Sequence, residues 1–113
     1  ERRVIMPLSR EFKKLVVARA NTDPEFRKGL IIEAINMILS GEITAGRIML
    51  RDYINATGAM DDICKQLNKH KSSINRMLGP SGNPTLESIV PVIKACSDRE
   101  EIRPIVCMDH CEA

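Results

Sequence analysis

The chain has 113 residues, 43% of them hydrophobic and 28% charged, and a formal net charge of +2. These values are typical of a soluble globular protein, and the length suits one domain with its own hydrophobic core. Only 3% of the residues are aromatic and none is tryptophan. This scarcity argues against nucleic-acid modules that stack bases on rows of aromatic side chains.

The sequence predicts a cytoplasmic location. No apolar run approaches the ~18 residues of a membrane-spanning helix, and residues 1–7 lack the apolar stretch of a signal peptide. Cys64 and Cys96 fall at apolar positions of helical patterns, where a reduced cysteine behaves as a small buried hydrophobe. We therefore expect a reducing compartment and no contact with a membrane.

Two helices are predicted at the start of the chain. Ser9 is a candidate N-cap for the first. Asp23 followed by Pro24 is a strong start signal for the second, which Gly41 is expected to end. The apolar positions at helical spacing are Phe12, Leu15, Val16 and Ala20 in the first helix, and Phe26, Leu30, Ala34, Met37 and Ile38 in the second.

A third helix is predicted from about residue 44 to Gly58. Arg47, Arg51 and Asn55 lie opposite its apolar face, so we expect these three side chains to be exposed. The three helices make up the first predicted segment, residues 1–58, which packs on the segment that follows. The apolar face of the third helix consists of Gly46, Leu50, Tyr53 and Ile54.

The second predicted segment, residues 59–97, contains two short amphipathic helices and one longer helix. Residues 79–84 (GPSGNP) form a loop before the longer helix, for which Thr85 is the candidate N-cap. Pro91 falls inside that helix and removes a backbone hydrogen bond, so we expect a kink or an irregular first turn. The apolar positions are Met60, Ile63 and Leu67, then Ile74, Met77 and Leu78, then Leu86, Ile89, Val90, Ile93 and Cys96.

The two short helices have the spacing of a helix-turn-helix. Cys64 supplies a small residue where the helices approach each other, and Asn68 tolerates the left-handed backbone that the turn requires. Residues 65–84 contain four basic residues and no acidic one. A charge run is usually only a solvated face, but its coincidence with this helix pair favours DNA binding. The four basic residues are Lys65, Lys69, Lys71 and Arg76.

Residues 62–78 (DICKQLNKHKSSINRML), followed by residues 82–85 (GNPT), resemble the lambda-repressor-like, or XRE-type, helix-turn-helix. Two positions depart from that pattern. Met60 stands where these domains often have a glutamine that contacts phosphate, and Asn68 stands where they usually have glycine.

The flanking sequence resembles the short HigA-type antitoxins of bacterial addiction modules, through residues 23–26 (DPEF), 41–42 (GE) and 51–57 (RDYINAT). The resemblance covers about residues 8–96. It implies an all-α, single-domain helical bundle. It also implies an antitoxin that neutralises a RelE/ParE-like toxin and, as a homodimer on an operator in double-stranded DNA, represses its own operon.

The same resemblance assigns roles to residues of the helix pair. Lys71, Ser72 and Arg76 would face base edges in the major groove, and Arg76 suits the O6 and N7 atoms of a guanine. Ser73, Lys69 and the region of Asn83 would contact phosphates, while His70 would be a phosphate ligand or a helix cap. The candidate DNA-binding residues are Lys69, His70, Lys71, Ser72, Ser73, Asn75, Arg76 and Asn83.

The sequence leaves two surfaces open for the toxin. Residues 85–113 carry an excess of acid that would attract a basic partner, and the helices of residues 9–40 are the alternative. For the homodimer, Ile31, Ile35 and Leu39 are candidate contacts unless they are buried within the monomer's own bundle. The acidic residues of the C-terminal region are Glu87, Asp98, Glu100, Glu101, Asp109 and Glu112.

Two other functions stay open: an XRE-type transcriptional regulator without a toxin partner, and a helical protein-interaction module whose basic surface serves only solubility. Catalysis is not indicated, because there are only two histidines and no glycine-rich phosphate loop follows a strand. The third predicted segment, residues 98–113, is an acidic tail. Its Cys107, His110 and Cys111 are interpreted as free side chains rather than zinc ligands, so no cofactor is expected.

Overall fold

The computed structural model describes residues 10–110, most of which lie in six α-helices, with no β-strand in that range. The all-α class predicted from the sequence is confirmed, and five of the six helices share one core. Ser9, the candidate N-cap of the first helix, lies outside the described residues. The helices are α1 (Arg10–Thr22), α2 (Pro24–Leu39), α3 (Ile43–Thr57), α4 (Met60–Leu67), α5 (Lys71–Leu78) and α6 (Leu86–Arg99).

The ends of α2 follow the local signals in its sequence. The Asp23 carboxylate accepts hydrogen bonds from the backbone N–H groups of Glu25 at 3.1 Å and Phe26 at 3.2 Å, and a proline occupies the first helical position. These bonds, foremost the one from Phe26, hold the pKa of Asp23 below its ordinary value. Gly41 follows the last turn of α2 with a φ of +97°, as expected for the residue that ends a helix.

Helices α2 and α3 approach each other closely at Gly46. A Cβ atom added to Gly46 would lie 2.6 Å from the side chain of Ile38 and 2.7 Å from the carbonyl oxygen of Ala34. Any larger residue would therefore push the two helices apart. On α3, the apolar face predicted from the sequence is confirmed as the buried face.

The core is aliphatic except for Tyr53, and α2 to α6 all contribute to it. Burial raises the pKa of the Cys96 thiol to about 12, so this cysteine is a neutral core residue, as predicted. The core residues are Ile31, Ala34, Leu50, Tyr53, Ile54, Ala59, Met60, Ile63, Ile74, Leu78, Ile89, Val92, Ala95 and Cys96.

Glu100, just after α6, is buried and was expected to be a surface acid; the structure corrects that expectation. Both carboxylate oxygens accept from Arg27 Nε at 3.1 Å, and one accepts from the Tyr53 hydroxyl at 2.6 Å. Arg27 also donates to the carbonyl of Ala20 at 2.7 Å. The carboxylate is buried because it is paired, and its partners join α1, α2 and α3 to the end of α6.

The apolar face predicted for α6 is wrong at two positions. Leu86 and Val90 are exposed, whereas Val92 and Ala95 are buried. The difference arises from tertiary packing, because α6 packs against both α2 and α4. Only the side chains of α6 that face these two helices reach the core. The helix is continuous through Pro91. Because proline has no backbone N–H, one hydrogen bond of the helix is missing there.

In α1, most of the predicted apolar positions are not in the core. Ala20 is fully buried, but Phe12 and Leu15 are exposed. The helix contacts α3 and α2 along one edge only, so a large part of its surface faces outward.

Of the predicted dimer contacts on α2, only Ile31 is fully buried within the monomer. For this residue, the alternative of burial in the monomer's own bundle is correct. Ile35 is half-buried and packs partly against the core. Leu39 is exposed.

Residues 101–110 have no regular secondary structure. The ordered fold extends into the predicted tail, since α6 ends at Arg99 and Ile102 packs against the core. Cys107 is exposed, while Cys111 and Glu112 lie outside the described residues. Among residues 10–110 there is no group of three side chains suited to a metal ion. None of the described helices has the length and apolarity that a membrane crossing demands.

We expect the phenol of Tyr53, the only tyrosine, to ionise only when the fold opens at alkaline pH. Burial, reinforced by the Glu100 carboxylate, raises the pKa of Tyr53 above its ordinary value of 10.0. The protonated phenol therefore stabilises the fold below pH 10.0, and this contribution is lost as the pH rises toward the raised pKa. Tyrosinate absorbance and circular dichroism, followed together through an alkaline titration, measure the coupling, with Tyr53→Phe as the spectroscopic blank. Tyrosinate appearing at the ordinary pKa while the circular dichroism stays native would contradict this expectation.

Candidate nucleic-acid interface

The helix pair predicted from the sequence is present as α4, a three-residue turn and α5. Asn68 has φ 54° and ψ 50°, which confirms the left-handed geometry expected of it. The backbone N–H of Lys69 donates to the carbonyl of Cys64 at 3.0 Å and closes the last turn of α4. His70 occupies the N-cap position of α5, but its side chain makes no capping hydrogen bond.

The inner faces of the two helices attach the pair to the rest of the fold. Ile63 of α4 and Ile74 of α5 are fully buried, and Leu67 and Met77 pack partly against the same core. These are the residues that the sequence predicts for the role. In addition, Arg99 of α6 donates to the Asp62 carboxylate of α4 at 2.8 Å.

The outer face of the pair is polar and basic. Of the eight candidate DNA-binding residues, six are exposed and two, Ser73 and Asn75, are half-buried. No carboxylate of the described chain pairs with a basic residue between positions 65 and 84. Their positive charge is therefore available to a ligand. The six exposed candidates are Lys69, His70, Lys71, Ser72, Arg76 and Asn83.

The loop after α5 places Asn83 near the C-terminal end of that helix. A Cβ atom added to Gly82 would lie 2.4 Å from the carbonyl oxygens of both Arg76 and Met77. The loop therefore folds directly back over the last turn of α5. Since Lys69 and His70 precede α5, the candidate residues occur at both ends of this helix as well as along it.

Arg47 of α3 is predicted to be exposed, and this prediction is wrong. Its side chain is only 3% exposed, and Nη1 donates to the carbonyls of Met77 at 2.9 Å and Gly79 at 2.6 Å. The last carbonyls of α5 need donors, and Arg47 supplies them from α3. These carbonyls, which have no donor within the helix, are the one sequence signal that points to a distant cation here.

Arg51 lies one turn further along α3 and is half-buried, not exposed as predicted. Its Nη1 lies 3.4 Å from the position that a Cβ atom on Gly79 would occupy. Two arginines of α3 therefore lie beside the C-terminal end of α5. Asn55, the third residue predicted for the outer face of α3, is exposed as expected.

Met60, at the first position of α4, is buried. A residue at this position contacts phosphate in XRE-type domains according to the resemblance, and here its thioether lies in the core. Met60 therefore offers no donor for a phosphate, and the exposed candidates are confined to the turn, α5 and the following loop.

No protein-family description, curated protein or solved structure matches this chain. The resemblance carried by residues 62–78 and 82–85 stays a sequence-based expectation. The unpaired basic surface of the turn, α5 and the loop is the feature on which a functional assignment can be built.

We expect Asn68 to limit the stability of the helix pair. Asn68→Gly should match or exceed the wild-type stability, because glycine adopts the left-handed region without steric cost, whereas Asn68→Ala should lose ~1 kcal/mol. Urea denaturation followed by circular dichroism measures both changes. Gln66→Ala, an exposed substitution inside α4, is the control and should change the free energy of unfolding by less than ~0.5 kcal/mol. Equal stabilities for the alanine and glycine variants at position 68 would contradict the assigned turn geometry.

Proposed function

We propose that this protein binds double-stranded DNA by inserting α5 into the major groove. The observation that carries the proposal is the basic surface of residues 65–84, which is free of acid and of ion pairs within the described chain. An α-helix with its side chains is ~10–12 Å in diameter, which fits the ~12 Å width of the major groove of B-DNA. Phosphate attraction then supplies much of the binding free energy, and base contacts supply the selectivity.

The candidate contacts on α5 fall into exposed and half-buried side chains. Lys71, Ser72 and Arg76 are exposed and suit base edges, with the Arg76 guanidinium able to donate two hydrogen bonds to a guanine. Lys69 in the turn and Asn83 in the loop suit the phosphates on either side. Ser73 and Asn75 are half-buried, so their contribution is smaller.

Replacing Arg76 should affect base selection, and replacing Lys69 should affect overall affinity. Arg76→Ala is expected to cost ~1–3 kcal/mol on a preferred duplex and to relax the preference at one base pair. Lys69→Ala should weaken binding to all duplexes alike. It should also reduce the slope of log affinity against log salt concentration by about one, the value for one lost phosphate contact. The measurement is fluorescence titration of a duplex selected from a random library and of a shuffled duplex, each at several salt concentrations.

Lys94→Ala is the matched control, since Lys94 is an exposed lysine on α6 that pairs with Asp98 at 2.8 Å. It should leave both affinities unchanged. If the Arg76 and Lys69 variants bind with wild-type affinity and salt slope, α5 is not the DNA-binding element.

We further propose, from the HigA-type resemblance, that the protein is an antitoxin that represses its own operon as a homodimer. One short helix reads too few base pairs to select an operator from a genome, and a two-fold dimer on a palindromic site meets that need. A footprint with two symmetric half-sites would support the dimer. A monomeric protein with an asymmetric footprint would contradict the homodimer.

An apolar groove supports a protein partner. The open groove has a volume of about 450 Å³ and lies between α2 and residues 102–105. Its lining comes from both regions that the sequence leaves open for the toxin, the N-terminal helices and the C-terminal region, although it includes Arg103 and no acidic residue. Ile32 and Ile105, which line it, are exposed. A toxin bound there would leave the basic surface of α5 free for DNA.

Removing the C-terminal side of this groove should abolish toxin neutralisation while leaving DNA binding intact. The deletion should begin at Pro104, because Glu100 and Ile102 are part of the fold. Neutralisation is measured as rescue of growth on co-expression with the product of the neighbouring gene, which the proposal expects to be a RelE/ParE-like toxin. Val90→Ser, at an exposed apolar position of α6, is the control and should rescue fully. Full neutralisation by the truncated chain would exclude the tail as a toxin contact.

A further inference from the structure

The guanidinium of Arg47 is buried between α3 and the C-terminal end of α5. It donates to the carbonyls of Met77 and Gly79 through Nη1, and to the hydroxyl of Thr44 through Nη2 at 3.3 Å. Its Nε has no hydrogen-bond partner in the described chain. No carboxylate of residues 10–110 forms an ion pair with it.

A buried cation without a carboxylate partner is costly, and the α5 carbonyls are what offset the cost. The last carbonyls of a helix carry partial negative charge and lack partners within the helix. The fixed, planar arrangement of the guanidinium donors then holds the carbonyls of Met77 and Gly79 at one position relative to α3.

Gly82 closes the site from the other side. A Cβ atom at this position would lie 2.7 Å from Arg47 Nη1, in addition to its overlap with the last α5 carbonyls. The guanidinium, the end of α5 and the loop therefore form one tightly packed unit. A change at either residue 47 or residue 82 must move the end of α5 or the loop.

We infer that Arg47 is a positioning residue that determines the sequence selectivity of the proposed DNA site without touching DNA. The inference rests on the proposed function. Base contacts require side chains held to within ~0.5 Å, whereas contacts to phosphates tolerate small displacements of a helix. Arg76, the main candidate for base recognition, lies in the last turn of α5, one residue before a carbonyl that Arg47 holds. Loss of the Arg47 contacts therefore alters selectivity more than overall affinity.

The test compares Arg47→Met, Arg47→Lys and Gly82→Ala with the wild type. For each protein, dissociation constants are measured for a duplex of about 20 base pairs selected by the wild type from a random library, and for a shuffled duplex of equal composition. All measurements are made at a temperature at which circular dichroism shows every variant to be folded. Arg27→Met is the matched control, because Arg27 is also a largely buried arginine but pairs with Glu100, at the opposite end of α3 from Arg47.

We expect Arg47→Met to reduce the ratio of selected to shuffled affinity about 10- to 100-fold, the size of one lost base contact. The affinity for the shuffled duplex and its salt slope should stay at the wild-type values, because no phosphate contact is removed. Arg47→Lys should retain part of the wild-type ratio of selected to shuffled affinity, because lysine keeps the positive charge but not the planar guanidinium. Gly82→Ala should resemble Arg47→Met, and a variant that carries both substitutions should lose no more of the ratio than either single variant. Arg27→Met should lower the melting temperature and leave the ratio unchanged.

The outcomes separate this inference from the function on which it rests. If the wild-type protein prefers neither duplex, the proposed function is wrong, and the inference that rests on it is wrong as well. A selective wild type with an unchanged ratio in Arg47→Met, or an equal loss in Arg27→Met, overturns the inference alone. If Arg47→Met does not fold, Arg47→Lys and Gly82→Ala decide, and wild-type ratios in both overturn it.

Discussion

The structure depends on two consecutive residues of α3 that face different neighbours. Gly46 has no side chain and lets α2 approach α3 closely, while Arg47 reaches the carbonyls at the end of α5. Further along the same helix, Tyr53 donates to Glu100 and so fixes the end of α6. Because α3 contacts α1, α2 and α5, its position determines where the basic surface of α5 points.

Features determined by neighbouring residues could be predicted from the sequence, and features determined by distant partners could not. The Asp23 cap and the left-handed Asn68 follow from short-range hydrogen bonding and steric rules. The burial of Arg47 and Glu100 depends on partners 30 or more residues away. Helical periodicity therefore placed Arg47 on the surface incorrectly, and the charge pattern of the C-terminal region did the same for Glu100. The buried stripe of α6 likewise depends on α2 and α4. For the candidate site, the sequence predicted the helix pair, its apolar contacts with the core and its exposed basic residues, but it missed the Arg47 contacts at the end of α5.

The distribution of ion pairs explains why the basic surface stands out although the net charge is only +2. All the ion pairs of the described chain involve basic residues outside positions 65–84, such as Arg19 with Asp23 and Lys94 with Asp98. Exposed pairs of this kind add little stability, but they cancel local charge. The basic side chains of the turn and α5 therefore keep their full positive potential. This potential falls off over ~10 Å at moderate salt, so a polyanion in contact with the surface is attracted most strongly.

The helix pair cannot form this surface on its own. α4 and α5 have eight residues each, fewer than the ~12–15 that an isolated helix needs in water. Their geometry therefore comes from the core, from the contact of Arg99 with Asp62, and from Arg47. The apolar groove is built from α2 and residues 102–105, so a partner bound there faces α2 and the tail, while the outer face of α5 stays open. In the proposed function, this separation is what allows one antitoxin to hold DNA and toxin at the same time.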